Sequence, residues 1–131
     1  MDWTLLILFA LVILLFLAIS SFLYKKKYFS ATLSRIFVHF TIGIMCGLSP
    51  FIFESNLVPS ILGLSFVFIN IFFHKHKLFE SIHSEDRITY GTIYFPLSYF
   101  ILSFLFWEIS EYFTISYFIL AVADPLAAII G

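Results

Sequence analysis

The sequence predicts an all-α fold, a polytopic membrane bundle of about five transmembrane helices. Apolar residues make up 62% of the 131 residues and charged residues only 11%, less than half the share of about 25% that is usual in globular chains. The mean hydropathy is +1.07, and 19 phenylalanines far outnumber 5 glycines. A water-soluble fold of this size has too little interior to bury so much apolar surface. We therefore expect an integral membrane protein with a single transmembrane domain.

Five apolar segments define the predicted helices, because a helix needs about 20 apolar residues to cross a bilayer. The first contains no charge and is followed by three lysines, which indicates an uncleaved anchor; a cleaved signal peptide is the alternative. Segments three to five are slightly short for a full crossing. The predicted spans are about 3–23, 36–53, 57–73, 93–107 and 113–131, with an extramembrane loop at 74–92.

The basic residues predict the orientation of the chain, since lysine and arginine collect in cytoplasmic loops. All seven lie in the two loops that face one side in a five-crossing topology: Lys25, Lys26, Lys27, Arg35, Lys75, Lys77 and Arg87. The opposite side receives only acidic residues: Asp2, Glu54, Glu108 and Glu111. The N-terminus is therefore expected outside and the C-terminus inside.

Charge, cysteine content and motifs exclude several functions. A net charge of −1 provides no basic surface for nucleic acid. The single cysteine, Cys46, excludes an internal disulfide framework, CxxC redox chemistry and a cysteine-rich zinc site. The sequence contains no GxxxxGK[ST] motif, which excludes phosphate binding by a Walker-type loop.

Asp124 is the clearest ionisable residue within a predicted span. A charge at a helix centre costs about 2.5–3.5 kcal/mol on insertion scales, so this carboxylate is a functional candidate. Pro125 follows it, and an Asp-Pro pair also suits a helix start, so a capping role stays open. In a straight fifth segment Asp124 would lie about 15 Å from the outer end, near mid-bilayer. A nucleotide would reach it there only if the helix breaks and admits water.

Two stripes with a spacing of four residues predict close helix approach. One is Ala123, Ala127 and Gly131; the other is Arg35, His39, Gly43 and Gly47. The glycines favour packing. For Arg35 with His39 on the same face, anion binding and simple snorkelling of the arginine to headgroups both stay open.

A third cluster lies at 85–96, just before the fourth span. Gly91 permits a turn that other residues resist, and Thr89, Tyr90 and Thr92 offer hydroxyl groups near it. A solvated loop with interfacial aromatic residues is the alternative interpretation, because tyrosine favours that depth in any case.

These clusters, in this order, resemble the membrane-embedded CTP-dependent lipid kinases, a family that includes dolichol kinase, phytol kinase and the CTP-dependent diacylglycerol kinases. The similarity covers about residues 33–131. It is carried by Arg-Ile-Phe-Val-His at 35–39, by Arg-Ile-Thr-Tyr-Gly-Thr-Ile-Tyr-Phe-Pro-Leu at 87–97 and by Asp-Pro-Leu-Ala-Ala-Ile-Ile-Gly at 124–131. The family usually has an arginine–lysine pair in the first motif, where this chain has Ile36. It also continues beyond the third motif, so we expect this chain to be an N-terminal fragment of a longer enzyme.

The resemblance implies transfer of a phosphoryl group from CTP to a membrane lipid alcohol at the cytoplasmic face, with Mg²⁺ or another divalent cation. The acceptor would be of the polyprenol or dolichol, diacylglycerol or phytol type. Asp124 would hold the metal, Arg35 would contact a phosphate, and His39 is the candidate general base. The nucleotide-binding candidates are Arg87, Thr89, Tyr90, Gly91, Thr92 and Gly131.

Two other functions stay open on the sequence. A phosphatidate cytidylyltransferase, which makes CDP-diacylglycerol, also uses CTP and magnesium, and no residue here separates the two reactions. A non-catalytic membrane protein or inactive fragment is the other alternative. A homo-oligomer is compatible with each of these functions.

Overall fold

The computed structural model describes residues 3–76 and 91–131, and within these ranges the chain is helical and contains no strand. The helices are α1 (Trp3–Lys25), α2 (Ala31–Gly47), α3 (Leu57–His76), α4 (Gly91–Leu105) and α5 (Ser110–Ile130), with a short 3-10 turn at Ser49–Phe51 after α2. The predicted all-α class is confirmed.

Among the described residues, four helical segments are long and apolar enough to cross a membrane: α1, α2 with the 3-10 turn, α3 and α5. The fourth predicted span, 93–107, corresponds to α4, whose 15 residues extend about 22 Å and so fall short of a hydrocarbon core of about 30 Å. Large apolar side chains such as Leu14, Phe68 and Ile119 are exposed on the outside of the bundle. Such a surface suits lipid, and the protein is a helical membrane bundle.

The ends of α2 differ from the predicted span 36–53. The helix begins at Ala31 because the hydroxyl of Ser30 accepts a hydrogen bond of 3.1 Å from the backbone N–H of Leu33. It ends at Gly47, and Pro50 lies in the 3-10 turn that follows. The earlier start makes Arg35 a residue of the first turns of α2 rather than of the preceding loop.

The fifth helix runs without a break from Ser110 to Ile130, with Pro125 in its interior. Asp124 therefore does not cap a helix, so the capping alternative is wrong, and the break that would admit water at this position is not formed. Proline removes one backbone donor, so the carbonyl of Ala121 loses its partner, but the turns on both sides keep their helical conformation. The helix also begins three residues before the predicted position 113.

Helices α2 and α5 pack as an antiparallel pair, and α3 packs on α4. Gly43 lies against Ala121 and Gly47 against Tyr117. Residue numbers on α5 therefore decrease as those on α2 increase, which means that the two helices run in opposite directions. Helix α1 packs mainly on α2, where the hydroxyl of Ser20 donates to the backbone oxygen of Ser34 at 3.2 Å. Because α1 and α5 both run antiparallel to α2, their C-terminal ends lie at the same end of the bundle.

An aromatic cluster fills the centre of the bundle between α4 and α5. Tyr99, Phe113 and Tyr117 are almost fully buried, and Trp107 packs edge-on against Phe113. On the other side of the core, Phe9 of α1 packs edge-on against Phe53. These large rings fill the space between the helices and so set the distances between them.

The predicted small-residue stripe of α5 is on the wrong face. Ala123, Ala127 and Gly131 are all exposed. The face that packs on the other helices is the one that carries Phe113, Tyr117, Ala121 and Pro125. Only Ala121 on this face is small, and it lies opposite Gly43, so the close approach of the two helices depends mainly on the α2 glycines.

Candidate functional site

His39 lies where α2, α4 and α5 meet. Its Nε2 atom is 3.3 Å from the backbone oxygen of Leu120 and 3.7 Å from Oδ2 of Asp124. Its ring lies 4.2 Å, centre to centre, from the ring of Phe95. The side chain is 16% exposed, so most of the imidazole is enclosed by the three helices. In the tautomer with a proton on Nε2, the ring donates to Leu120 and its other nitrogen is an acceptor.

Asp124 lies beside His39 at the edge of the bundle. Its side chain is 65% exposed, and the 3.7 Å separation from His39 is an ion-pair distance that exceeds a good hydrogen bond. The carboxylate oxygens therefore remain accessible to a ligand. At 1.5 Å per residue, Asp124 is about 21 Å from the start of α5 and about 9 Å from Ile130. It lies in the third of the helix that is nearest to the lysine-bearing end of α1, not at mid-span.

Arg35 lies one helical turn before His39 on α2 and is half-buried. Residues four apart on a helix share a face, so Arg35 and His39 both belong to the side of α2 that packs on α5. One turn further on, the same face carries Gly43 against Ala121. The structure thus brings the first and third sequence motifs together along a single helix–helix contact.

The second motif reaches the same place through Phe95. The hydroxyl of Tyr117 donates to the backbone oxygen of Phe95 at 3.1 Å, and the Phe95 ring lies between the rings of His39 and Tyr117, at 4.2 and 5.3 Å. Phe95, Tyr117 and the Leu120 carbonyl were not singled out from the sequence. With 19 phenylalanines and 7 tyrosines in the chain, residue type gave no signal. One pattern in the sequence did indicate the packing face of α5: Tyr117, Ala121 and Pro125 recur every four residues.

The remaining nucleotide-binding candidates are only partly described. Arg87, Thr89 and Tyr90 lie outside the described residues. Gly91 and Thr92 begin α4, one turn before Phe95. Gly91 has no positive φ angle and begins a helix, so it does not form the turn that a glycine would permit. An added Cβ at Gly91 would meet no atom of the described residues within 4 Å. The buried hydroxyl of Thr92 has no hydrogen-bond partner among the described residues.

Gly131 is exposed at the end of α5, and its N–H donates to the backbone oxygen of Ala127 at 2.8 Å. It lies two turns beyond Asp124 and does not contact the His39 cluster through any interaction of the described residues. The structure therefore brings Arg35, His39 and Asp124 to one helix contact, with Gly131 further along the same helix.

The described residues contain no group of three or more histidine, cysteine, aspartate or glutamate side chains that could hold a metal ion. A resident metal centre built from protein ligands alone does not fit these side chains. Mg²⁺ that arrives on a nucleotide does fit, because it commonly takes only one or two protein carboxylates, with phosphate oxygens and waters as its other ligands. The exposed carboxylate of Asp124 is suited to that role.

Comparisons with protein-family models, with curated proteins and with solved structures found no match for this chain.

Proposed function

We propose that this protein is a multi-pass membrane transferase that uses CTP to phosphorylate a lipid alcohol. The observation that supports this best is the meeting of three separate sequence motifs at one side chain, because His39 contacts Phe95 of the second motif and Asp124 of the third. Helix packing alone requires no arginine, histidine and carboxylate along one contact within a membrane, where ionisable groups are costly.

Arg35 and Asp124 supply the charges that the transfer needs. Phosphoryl transfer depends mainly on positioning and on neutralising the phosphate charge. The Asp124 carboxylate is suited to the magnesium ion that MgCTP brings with it, and the guanidinium of Arg35 is suited to a phosphate oxygen. Since the two residues flank His39, a nucleotide held between them presents its terminal phosphate to the imidazole.

The reaction balances with the groups of this site. The hydroxyl oxygen of the lipid forms a bond to the γ-phosphorus of CTP, the bond from that phosphorus to the β–γ bridging oxygen breaks, and CDP leaves. The proton of the hydroxyl passes to the ring nitrogen of His39 that does not donate to Leu120. The His39 side chain is 16% exposed, and an alcohol on an apolar tail would reach this exposed part from the bilayer.

The proposed orientation has the N-terminus outside and the basic end of the bundle in the cytoplasm, where CTP is present. Lys25 ends α1 at the same end of the bundle as the Asp124 half of α5. Single-cysteine variants in a Cys46→Ser background test this with a membrane-impermeant maleimide. We expect Glu108→Cys to be labelled in intact cells and Lys26→Cys only after lysis; the reverse pattern would refute the orientation.

The activity is tested with the full-length protein in phospholipid nanodiscs and CTP that is labelled at the γ-phosphate. Polyprenol, diacylglycerol and phytol serve as acceptors, and we expect labelled lipid phosphate as the product. The variant Asp124→Asn should lose at least about 100-fold in rate, because it removes a charge that the transferring phosphate needs. The control is Glu111→Gln, the same change in the first turn of the same helix.

Each alternative function has its own result in this experiment. Label in pyrophosphate, with CMP joined to phosphatidic acid, would identify a cytidylyltransferase. Full activity of a folded Asp124→Asn variant would remove Asp124 from the site. A wild-type protein that forms neither product would refute the enzyme and leave a non-catalytic membrane protein.

A further inference from the structure

Three consecutive lysines, Lys25 to Lys27, lie at the end of α1 and in the turn that follows it. The N–H of Lys27 donates to the carbonyl of Tyr24 at 2.9 Å and that of Tyr28 to the carbonyl of Leu23 at 3.0 Å. This pair of bonds is the Schellman motif that ends many helices. The motif places its left-handed position at Lys27, which has a φ angle of 62°.

Lys27 is an unfavourable residue for that position. Glycine is usual there, because a Cβ atom crowds the backbone in the left-handed conformation. Lys27 is the one non-glycine residue with a positive φ angle in the described part of the chain. A lysine at this position makes the turn less stable than a glycine would. The stability of the turn therefore does not explain why this residue is a lysine.

An open surface pocket of about 450 Å³, called the cavity below, lies beside this turn. Its lining residues are Tyr24, Lys25, Lys27, Phe29 and Ser30. The two lysines give it positive charge, and none of the described acidic residues lines it. Lys26 is outside the cavity, and its ammonium lies over the ring of Phe22, 5.9 Å from the ring centre. The three neighbouring lysines are thus divided, with two at the cavity and one away from it.

The position of the cavity along the bundle indicates what enters it. Helix α1 has 23 residues, is long and apolar enough to cross a membrane, and ends at Lys25. A membrane-spanning α1 puts the turn at the level of the lipid headgroups. Tyr24 and Phe29 provide aromatic surface at that level, as is typical of a membrane interface. The anionic group most abundant at this depth is the phosphate of a phospholipid.

We propose that the α1–α2 turn is a binding site for the phosphate of an anionic phospholipid, which Lys25 and Lys27 hold by charge-assisted hydrogen bonds. Basic residues close to a bilayer attract anionic lipids in general, but such attraction treats neighbouring lysines alike. A site in the cavity distinguishes them, since only Lys25 and Lys27 line it. This proposal does not depend on the activity of the His39 site.

The test measures binding of short-chain phosphatidylglycerol to the full-length protein in a neutral detergent by native mass spectrometry. Lys25→Gln and Lys27→Gln should each weaken binding about fivefold, the usual contribution of one basic residue near an anionic surface. Lys26→Gln, the matched control with the same loss of charge in the same tripeptide, should change it less than about twofold. Equal losses in all three variants would overturn the site in favour of general surface charge.

A second variant separates binding from folding. Lys27→Gly removes the side chain but restores the favoured residue at the left-handed position, so the thermal midpoint of unfolding should rise while lipid binding falls. Unchanged binding in this more stable variant would refute the role of Lys27. Inorganic phosphate serves as the competing probe: displacement of the lipid at equal concentrations would overturn the lipid assignment, and failure to compete would support it.

Discussion

The Nε2 atom of His39 lies 3.7 Å from Oδ2 of Asp124, across the contact between α2 and α5. The same nitrogen is 3.3 Å from the backbone oxygen of Leu120, one turn earlier on α5. The histidine therefore connects two consecutive turns of a helix that contains a proline between Asp124 and its end. Its ring is held by packing against Phe95, so the position of the imidazole relative to the carboxylate depends on three helices.

Replacing His39 by glutamine separates its chemistry from its structural contact. Glutamine keeps an N–H donor for the Leu120 carbonyl but does not accept a proton at neutral pH. We expect His39→Gln to keep the thermal midpoint of unfolding while phosphoryl transfer falls at least about 100-fold, as for loss of a general base. His76→Gln at the end of α3, where the ring packs on Phe72, is the control. Full activity of His39→Gln would exclude His39 as the base.

Removing the hydroxyl of Tyr117 tests how the second motif is attached to α5. The variant Tyr117→Phe loses the donor to the Phe95 carbonyl but keeps the fully buried ring. We expect a loss of about 1 kcal/mol in the free energy of unfolding, the usual net value of one hydrogen bond. Denaturation in a detergent mixture measures it. Tyr112→Phe on the exposed side of the same helix should change nothing, and an equal loss there would contradict the assignment.

The sequence was sufficient for the all-α class and for the approximate position of each helix, because hydropathy depends on the composition of a segment alone. Helix ends were less predictable. The start of α2 depends on the Ser30 hydroxyl and the N–H of Leu33, which lie in a stretch that is too polar for a hydropathy window. The continuity of α5 through Pro125 depends on neighbouring helices, which no local pattern contains.

The candidate site was predictable in its ionisable residues but not in its assembly. His39 and Asp124 stand out because titratable groups are rare within apolar segments, and Arg35 stands out because it lies one helical turn before His39. These residues come together because α2 packs on α5. The close contact between Gly43 and Ala121 allows that packing. The exposed stripe of Ala123 and Ala127 has the same spacing, so spacing alone selected the wrong face.

The buried contact between Ser20 and Ser34 predicts how strongly α1 is attached to the bundle. Both serines are fully buried, and the Ser20 hydroxyl donates across the helix contact to the Ser34 backbone. Hydrogen bonds between membrane helices contribute about 0.6 kcal/mol on average and up to about 1.7 kcal/mol. Ser20→Ala should lower the free energy of unfolding in a detergent mixture by an amount in that range. Ser65→Ala, which removes an exposed hydroxyl bonded within its own helix, should leave it unchanged.

The contact of Gly43 with Ala121 makes the strongest prediction about the site. A Cβ at Gly43 would collide with the Cβ of Ala121 and lie 3.1 Å from its Cα, so Gly43→Ala must push α2 away from α5. We expect a loss of about 1–3 kcal/mol in the free energy of unfolding, together with reduced transfer because His39 and Asp124 separate. Gly47→Ala is the matched control: its nearest neighbour is Tyr117 Cβ at 3.6 Å, and alanine favours a helix. Adding Ala121→Gly to Gly43→Ala restores space, so both stability and activity should recover in the double variant. A double variant as unstable as Gly43→Ala alone would show that this contact does not set the distance between the helices.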